Sequence, residues 1–214
     1  MATSPSRVGG RPDKRSDVTR GARAVFGRLG YAQASMDVIA AEAAVSTRTI
    51  YQHFRTKEGL FAAVLEDSAC EVADHFAATV DRTMSGADVR EDLIALGVAF
   101  VAQTTEHAEH FAMIRQIRAD ALQLPGEVID RWHKAGPLRV QTEVANRLRA
   151  LTELRQLRVD SSELAALHFI ALVTAPSTIR PYAAGTPDPR ETVAAVTAGV
   201  TAFLFGYGTS AAPA

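Results

Sequence analysis

The sequence of residues 35–61, SMDVIAAEAAVSTRTIYQHFRTKEGLF, predicts two short helices that meet at a sharp turn and a third that begins just behind them. The second helix carries Arg, Thr, Tyr, Gln and His on its outer face and almost no acidic side chain. Such a helix suits the DNA major groove, because it offers donors to base edges and phosphates without a carboxylate that would repel the backbone.

The two helices have the layout of a helix-turn-helix, in which the first helix crosses the DNA backbone and the second presents its N-terminal half to the bases. Residues 35–43 would form the first and residues 47–53 the second. Ile50 and Phe54 are four residues apart and both face the core, which turns the polar residues around them outward. An ordinary surface helix of an α-helical protein is the alternative interpretation.

The outward side chains supply the candidate DNA contacts. Arg48 can donate two hydrogen bonds to guanine, and Gln52 can form the equivalent pair with adenine. Lys57 lies in the first turn of the following helix, where its ammonium and the free N–H groups could hold one phosphate together. The side chains suited to phosphate oxygens are those of Ser46, Thr47, Thr49, Tyr51 and His53.

Charge is distributed unevenly along the chain, although the formal total is −1. Residues 1–57 hold ten Lys/Arg against four Asp/Glu, and the remaining residues hold 13 against 20. A basic N-terminal part beside an acidic remainder suggests that the N-terminal part meets a polyanion. A chance distribution over a solvated surface is the alternative.

Helical spacing continues through most of the chain, and no sustained alternation of the kind that marks strands is present. We therefore expect an all-α protein of about nine helices. The first helix has an apolar face of Val18, Ala22, Val25 and Leu29 and ends at Gly30. After the two short helices, further helices are predicted over 57–82, 88–107, 109–122, 126–151, 161–180 and 190–207.

A set of residues in the N-terminal part occurs in an order and spacing specific to one known family. The set comprises Gly30, Tyr31, Ser35, Met36, Ile39, Ala40, Ala43, Val45, Ser46, Thr49, Ile50, Tyr51, His53, Phe54, Lys57, Glu58, Leu60 and Phe61. Over about residues 14–66 the chain thus resembles the TetR/AcrR family of bacterial transcriptional regulators. The resemblance implies a homodimer that binds a palindromic operator in double-stranded DNA, usually as a repressor that a small molecule releases.

The resemblance also implies roles for individual residues. Tyr51, His53 and Lys57 would contact phosphates, residues near 46–49 and 52 would contact bases, and Ser35 is a further candidate contact. One position departs from the family pattern, because Ala44 stands where the family usually has glycine before the Val-Ser pair. A left-handed backbone at Ala44 would cost roughly 1 kcal/mol.

The domains that follow from this interpretation are four. They are a flexible basic arm at 1–13, a three-helix DNA-binding domain at 14–56, a larger helical effector-binding and dimerisation domain at 57–207, and a flexible tail at 208–214. The last two helices are the expected dimer surface, with intramolecular core as the alternative. The candidate interface residues are Leu164, Leu167, Ala171, Val196, Val200, Phe203, Leu204 and Tyr207.

The middle helices would enclose any effector pocket, because Met and aromatic side chains suit an adaptable apolar site. Each of these side chains could equally be plain core. The candidate pocket residues are Phe76, Phe100, Met113, Ile114, Ile117, Trp132, His168 and Phe169. We expect no cofactor and a partly apolar small-molecule effector.

Residues 106–110, EHAEH, allow a metal interpretation, because histidines at i and i+3 share a helix face. No third or fourth ligand can be identified from the sequence, so we expect a solvated polar turn and no metal. The chain also contains no Gly-rich phosphate loop, no GxSxG and no HExxH, so we expect no enzyme.

The sequence therefore favours a regulator that binds DNA as a homodimer in the cytoplasm. A single cysteine, Cys70, excludes an internal disulfide, and neither a secretory signal nor an 18-residue apolar run is present. Two alternatives remain: a sequence-indifferent DNA-binding protein, and a helical small-molecule-binding or enzymatic protein with a vestigial head.

Overall fold

The computed structural model describes residues 14–120, 125–179 and 188–208, and the side chains of all of these except 117–120 and 176–179. Within these residues the protein is all-α, as predicted, and a single isolated bridge between Leu157 and Gly208 is its only β pairing. The arm predicted at 1–13 and the tail beyond Gly208 lie outside the described residues. The helices are α1 (Lys14–Gln33), α2 (Met36–Glu42), α3 (Thr47–Phe54), α4 (Lys57–Thr83), α5 (Val89–Glu106), α6 (Ala108–Asp120), α7 (Gly126–Ala135), α8 (Pro137–Glu153), α9 (Ser162–Ile179) and α10 (Pro189–Tyr207).

Two units share these helices. The first unit contains the described residues of Met1–Leu65 together with Glu109–Pro125, and the second contains Glu66–Ala108 and those of Gly126–Ala214. This division differs from a single cut after residue 56, because α4 contributes to both units and α6 belongs to the first. α6 lies against α1 within the first unit: a Cβ on Gly27 would be 3.4 Å from the carbonyl oxygen of Glu109 and 3.6 Å from Cβ of Ala112.

The core of the first unit is built on the predicted apolar face of α1. Val18, Ala22 and Val25 are fully buried, whereas Leu29 is only half-buried. Phe26, which that face did not include, is also fully buried and meets Phe61 edge to face at a centroid distance of 4.8 Å. Gly30 has φ 76° and ψ 170°, so the regular part of α1 ends there, as predicted.

The segment 126–151 is not the single helix that its spacing predicts, because it divides into α7 and α8 at Gly136. Gly136 has φ −126° and ψ −77°, and Pro137 begins α8, where its missing N–H costs no helical hydrogen bond. A Cβ on Gly136 would lie 2.8 Å from Cβ of Ala69, so this glycine also permits close approach to α4. Helical periodicity continues across the break, and the Gly136-Pro137 pair is the local sequence signal that marks it.

In the second unit α4 runs in the same direction as α7 and α8, and ion pairs join them. Glu66 pairs with Arg131, Asp74 with Arg139 and Asp81 with Arg147, so residue numbers rise together on the two sides. These pairs are largely solvated, and each contributes little to stability. The hydrogen bond from Arg139 to Asp74 is the main cause that raises the pKa of Arg139 above its ordinary value.

Helices α5, α8, α9 and α10 enclose the core of the second unit with the second part of α4. The turn between α4 and α5 is held by buried Asp92, whose carboxylate accepts from the N–H groups of Ser85 at 2.7 Å and Gly86 at 2.8 Å.

No described helix combines the length and apolarity that would let it cross a bilayer.

Candidate nucleic-acid interface

The turn between α2 and α3 has the geometry expected of a helix-turn-helix. The Oγ of Ser35 accepts from the N–H of Val38 at 3.2 Å and so caps α2. After α2, the N–H of Val45 donates to the carbonyl of Ala40 at 3.0 Å, and Ala44 adopts φ 52°. The left-handed conformation expected at this position is therefore present, although the residue is alanine.

α3 is fixed at its start by a cap and along one side by two apolar anchors. The Oγ of Ser46 accepts from the N–H of Thr49 at 3.1 Å and lies 2.9 Å from the Thr49 hydroxyl. Ile50 is fully buried and Phe54 is buried, as predicted, and the guanidinium of Arg15 lies 4.9 Å from the centre of the Phe54 ring. The orientation of α3 about its axis follows from these contacts.

The opposite side of α3 exposes hydrogen-bond donors to solvent. Arg48, Gln52 and His53 are exposed, and Tyr51 is 50% exposed. Throughout the described ranges, Arg48, Tyr51 and Gln52 make no hydrogen bond or ion pair with the protein. α3 has no acidic residue, so nothing on this face repels a phosphate. Thr47 and Thr49 are half-buried at its edge.

The structure gives Lys57 partners that the sequence did not predict. Its ammonium donates to the carbonyl oxygens of Tyr31 at 2.9 Å and Ala34 at 3.0 Å, and lies 4.5 Å from the centre of the Tyr31 ring. Lys57 thus ties the start of α4 to the chain that leaves α1. Partial burial first, and then the Glu58 carboxylate, raise the pKa of Tyr31 above its ordinary value. Any phosphate bound by Lys57 must compete with these carbonyls.

Arg55 is a candidate that the sequence interpretation missed. It is exposed at the C-terminal end of α3 with φ 24°, and it directly precedes Thr56, whose Oγ1 accepts from the N–H of Gly59 at 3.0 Å. Its guanidinium has no partner within the residues that the structure describes. The signal in the sequence was a cation next to the N-terminus of α4, one residue beyond the end of α3.

The residues predicted for the dimer surface fall into two groups. Leu164, Leu167 and Ala171 of α9 are exposed, as an interface requires. Val196, Val200 and Phe203 are instead buried in the core of their own unit, which is a correction: their stripe on α10 is the intramolecular face. Leu204 and Tyr207 are half-buried. The exposed apolar side of α10 carries Val193, Ala198, Ala202 and Phe205.

The candidate pocket residues are divided between the two units. Met113 and Ile114 are buried in the first unit, and the side chain of Ile117 lies outside the described residues. In the second unit, Phe76 meets Phe100 edge to face at 6.0 Å and Phe169 meets Phe203 at 5.4 Å, so both rings are core packing. Trp132 is half-buried, and its buried indole N–H has no hydrogen-bond partner among the described residues.

His168 lies on the surface and not in an interior pocket. Its Nδ1 is 2.6 Å from the hydroxyl of Tyr207, and it borders an open surface cavity of about 290 Å³ between α9 and α10. The shared helix face considered for His107 and His110 does not form, and the polar turn expected there is only partly solvated, because His110 is buried. α5 ends at Glu106, His107 has non-helical φ −116° and ψ 48°, and His110 is buried in the first unit.

Family models match both the N-terminal and the C-terminal part of the chain. Residues 18–64 match the family model described as bacterial regulatory proteins of the tetR family, and residues 91–209 match the C-terminal domain of AefR-like transcriptional repressors. No curated protein matches the chain significantly.

Solved structures agree with these matches. A TetR-family transcriptional regulator from Mesorhizobium loti is 26% identical, with a TM-score of 0.83 over 92% of this chain and 97% of that one. The flavonoid-responsive regulator FrrA is 25% identical, with a TM-score of 0.69 over 92% and 98%. A TetR-family regulator from Pseudomonas syringae pv. tomato is also 25% identical, with a TM-score of 0.63 over 92% and 98%.

Proposed function

The chain belongs to the TetR family and is a DNA-binding transcriptional repressor, and from this premise we propose that it binds a palindromic operator as a homodimer and leaves it when a small molecule binds. The observation that carries the proposal is the outer face of α3. A cap at Ser46 and the anchors Ile50 and Phe54 hold this helix, while Arg48 and Gln52 remain without protein partners. The energy of their hydrogen bonds is therefore available to DNA.

Within this proposal the residues divide by role. Arg48 and Gln52 contact base edges, and Thr47 lies beside them. Tyr51, His53 and Arg55 contact phosphates, because they are exposed donors flanking the base-contacting residues. Ser35 uses its hydroxyl oxygen as a cap and can still donate its proton to a phosphate. The hydroxyls of Ser46 and Thr49 are hydrogen-bonded to each other, so one of the two has a proton left to donate.

Selection of bound sequences from a random pool of double-stranded DNA tests the operator and the dimer together. We expect enrichment of an inverted repeat whose half-site centres lie about 34–36 Å apart or a multiple of that distance. Enrichment of single half-sites would contradict the dimer. Equal retention of all sequences at fixed salt would favour the sequence-indifferent DNA-binding protein.

The exposed apolar residues of α9 and α10 support the dimer part of the proposal. Leu167 is 48% exposed and Phe205 is 76% exposed. The open cavity between α9 and α10 is lined by other residues of the same two helices, among them Ala171 and Ala202. Such a surface on a single chain is costly in water and is a typical place for a partner. A second copy would cover it through the same surface of its own.

The indole of Trp132 supports the effector part. A buried N–H without a partner costs about 1–3 kcal/mol, and a ligand that brings an acceptor oxygen would remove that cost. FrrA responds to flavonoids, which are apolar ring systems with acceptor oxygens, so we propose ligands of this class as the first candidates.

The matches point to a non-enzymatic regulator, and we propose that it acts in the cytoplasm, where the bacterial chromosome lies.

Trp132 is the only tryptophan of the chain, so its fluorescence reports on its own surroundings. Titration with flavonoids should change the emission with a saturable curve, and the same ligand should lower operator affinity. A ligand acts in this way if it prefers a conformation that matches the half-site spacing poorly. Unchanged emission, or turnover of the ligand, would contradict this part and favour the enzymatic alternative.

A further inference from the structure

Three potential metal-ligating side chains meet in the second unit where α4 passes the end of α5. They are His75 of α4, Glu106 at the last position of α5, and His107 directly after it. Nδ1 of His75 lies 2.8 Å from Nε2 of His107 and 3.8 Å from Oε2 of Glu106. One ligand atom from each residue lies within 4.8 Å of the other two.

The spacing of these atoms is close to that of a coordination sphere. Two imidazole nitrogens bound to one Zn²⁺ at about 2.0–2.1 Å with tetrahedral angles are roughly 3.4 Å apart. The two rings need to separate by only a few tenths of an ångström from their present contact. The side chains of His75 and Glu106 are 42% and 49% exposed, so they have room for this adjustment and a path for an ion to enter.

The surroundings also favour a cation. The C-terminal end of an α-helix carries partial negative charge on its unpaired carbonyls, and α5 ends at this cluster. The Glu106 carboxylate adds a full negative charge. Two facing ring nitrogens can share one proton at most, whereas a metal ion satisfies both at once.

The proposed ligand residues lie next to well-packed parts of α4 and α5. Phe76, the neighbour of His75, meets Phe100 of α5 edge to face at 6.0 Å. The side-chain amide of buried Gln103 donates to the backbone carbonyl of Phe100 at 3.0 Å, and the backbone carbonyl of Gln103 accepts from the N–H of His107 at 2.9 Å. Such support limits the movement that binding has to overcome.

We propose that His75, Glu106 and His107 bind one divalent ion of the Zn²⁺, Co²⁺ and Ni²⁺ class, with water completing the coordination. Two imidazoles and a carboxylate suit this class better than Mg²⁺ or Ca²⁺, which prefer oxygen ligands alone. Binding requires neutral imidazoles, so any proton bound to a ligating nitrogen is released as the metal–nitrogen bond forms. The site bridges α4 and α5 and shares no residue with the surface proposed for DNA.

Calorimetric titration of the tag-free, chelator-treated full chain with ZnCl₂ tests the site. We expect one ion per chain. His75→Asn and His107→Asn should each weaken binding by at least about 100-fold, because even partners behind a metal ligand contribute 10–100-fold to affinity. His133→Asn is the matched control, since His133 is an exposed histidine of α7 outside the cluster, and it should bind as the unaltered chain does.

Co²⁺ provides a second readout, because its visible absorption strengthens when it enters a low-symmetry protein site. The band should appear with the unaltered chain and the His133→Asn variant, and be lost with Glu106→Gln or either cluster-histidine variant. Circular dichroism checks that these variants are folded. If a histidine variant is unfolded, loss of the Co²⁺ band in the folded Glu106→Gln variant tests the site instead. Absence of saturable Zn²⁺ binding, or binding unchanged in the folded variants, would overturn the proposal and leave a hydrogen-bonded histidine pair.

Discussion

At the scale of single residues, the interface depends on which polar groups the protein has already used. Arg48 and Gln52 have no partners in the described structure, whereas Lys57 has two carbonyl acceptors close by. All three are polar side chains of the same stretch and cannot be told apart by composition. Their difference arises because Lys57 lies next to the chain that leaves α1, and the face of α3 does not.

Replacing Arg48 should change sequence preference and leave folding intact. Arg48→Ala is expected to cost about 1–3 kcal/mol of binding and to relax the preference at one base position, because a bidentate contact to guanine is lost. Binding assays against operator variants measure this. Arg149→Ala, an exposed arginine of the second unit, serves as the control. An unchanged preference profile would remove Arg48 from the base-contacting set.

Lys57→Ala separates a phosphate contact from a structural role. Loss of a phosphate contact should weaken all sequences alike and reduce the slope of log K against log salt by about one unit. Loss of the bonds to Tyr31 and Ala34 should lower the free energy of unfolding by about 1 kcal/mol or more. Lys134→Ala is the control for the loss of one positive charge. Reduced stability with an unaltered salt slope would restrict Lys57 to the structural role.

Ala44→Gly should stabilise the protein, because Ala44 adopts φ 52° in the turn. Glycine avoids the steric cost of that conformation, so the free energy of unfolding in urea should rise by about 1 kcal/mol. Ala78→Gly, at an exposed position inside α4, should lower it by a similar amount. A decrease for Ala44→Gly would show that flexibility of the unfolded chain outweighs the relieved strain.

At the scale of helices, close approach depends on glycine. A Cβ on Gly199 of α10 would lie 2.7 Å from the Leu172 carbonyl oxygen, and one on Gly97 of α5 would lie 2.7 Å from Cγ1 of Val196. α9 and α5 can therefore both pack directly against α10. Periodicity in the sequence predicts that α10 has an apolar face, but it does not say which neighbour that face meets.

Gly199→Ala should separate α10 from α9. The added methyl group meets backbone, which cannot move aside as a side-chain end can, so a loss of about 1–3 kcal/mol is expected. Thermal or urea unfolding measures the loss. Gly126→Ala at the start of α7 is the matched control, because its Cβ would meet nothing within 4 Å. Equal stability of the two variants would contradict direct backbone contact.

At the scale of the whole molecule, the proposed binding to a palindromic operator requires two copies of the chain. The apolar residues that remain exposed on α9 and α10 are the part of the last two helices that the chain does not cover itself. Val196, Val200 and Phe203 cannot serve in their place, because they already pack within their own unit.

Leu167→Asp should therefore produce a monomer. A charge at the centre of an apolar interface stays unpaired on association, so light scattering should give the mass of one chain. Operator affinity should fall with it, since one chain can occupy only one half-site. Leu154→Asp is the control, because Leu154 is 61% exposed but lies outside both helices. A dimeric Leu167→Asp variant with full operator affinity would place the interface elsewhere.

Sequence alone determined the all-α class, the helix-turn-helix and the inward anchors Ile50 and Phe54, because these follow from spacing within a few residues. The caps at Ser35 and Ser46 and the left-handed backbone at Ala44 are equally local. Tertiary structure alone decided the inward stripe of α10, the partners of Lys57 and the meeting of His75 with His107. These features depend on which segments lie side by side, and residues 32 positions apart share no periodicity that would reveal it.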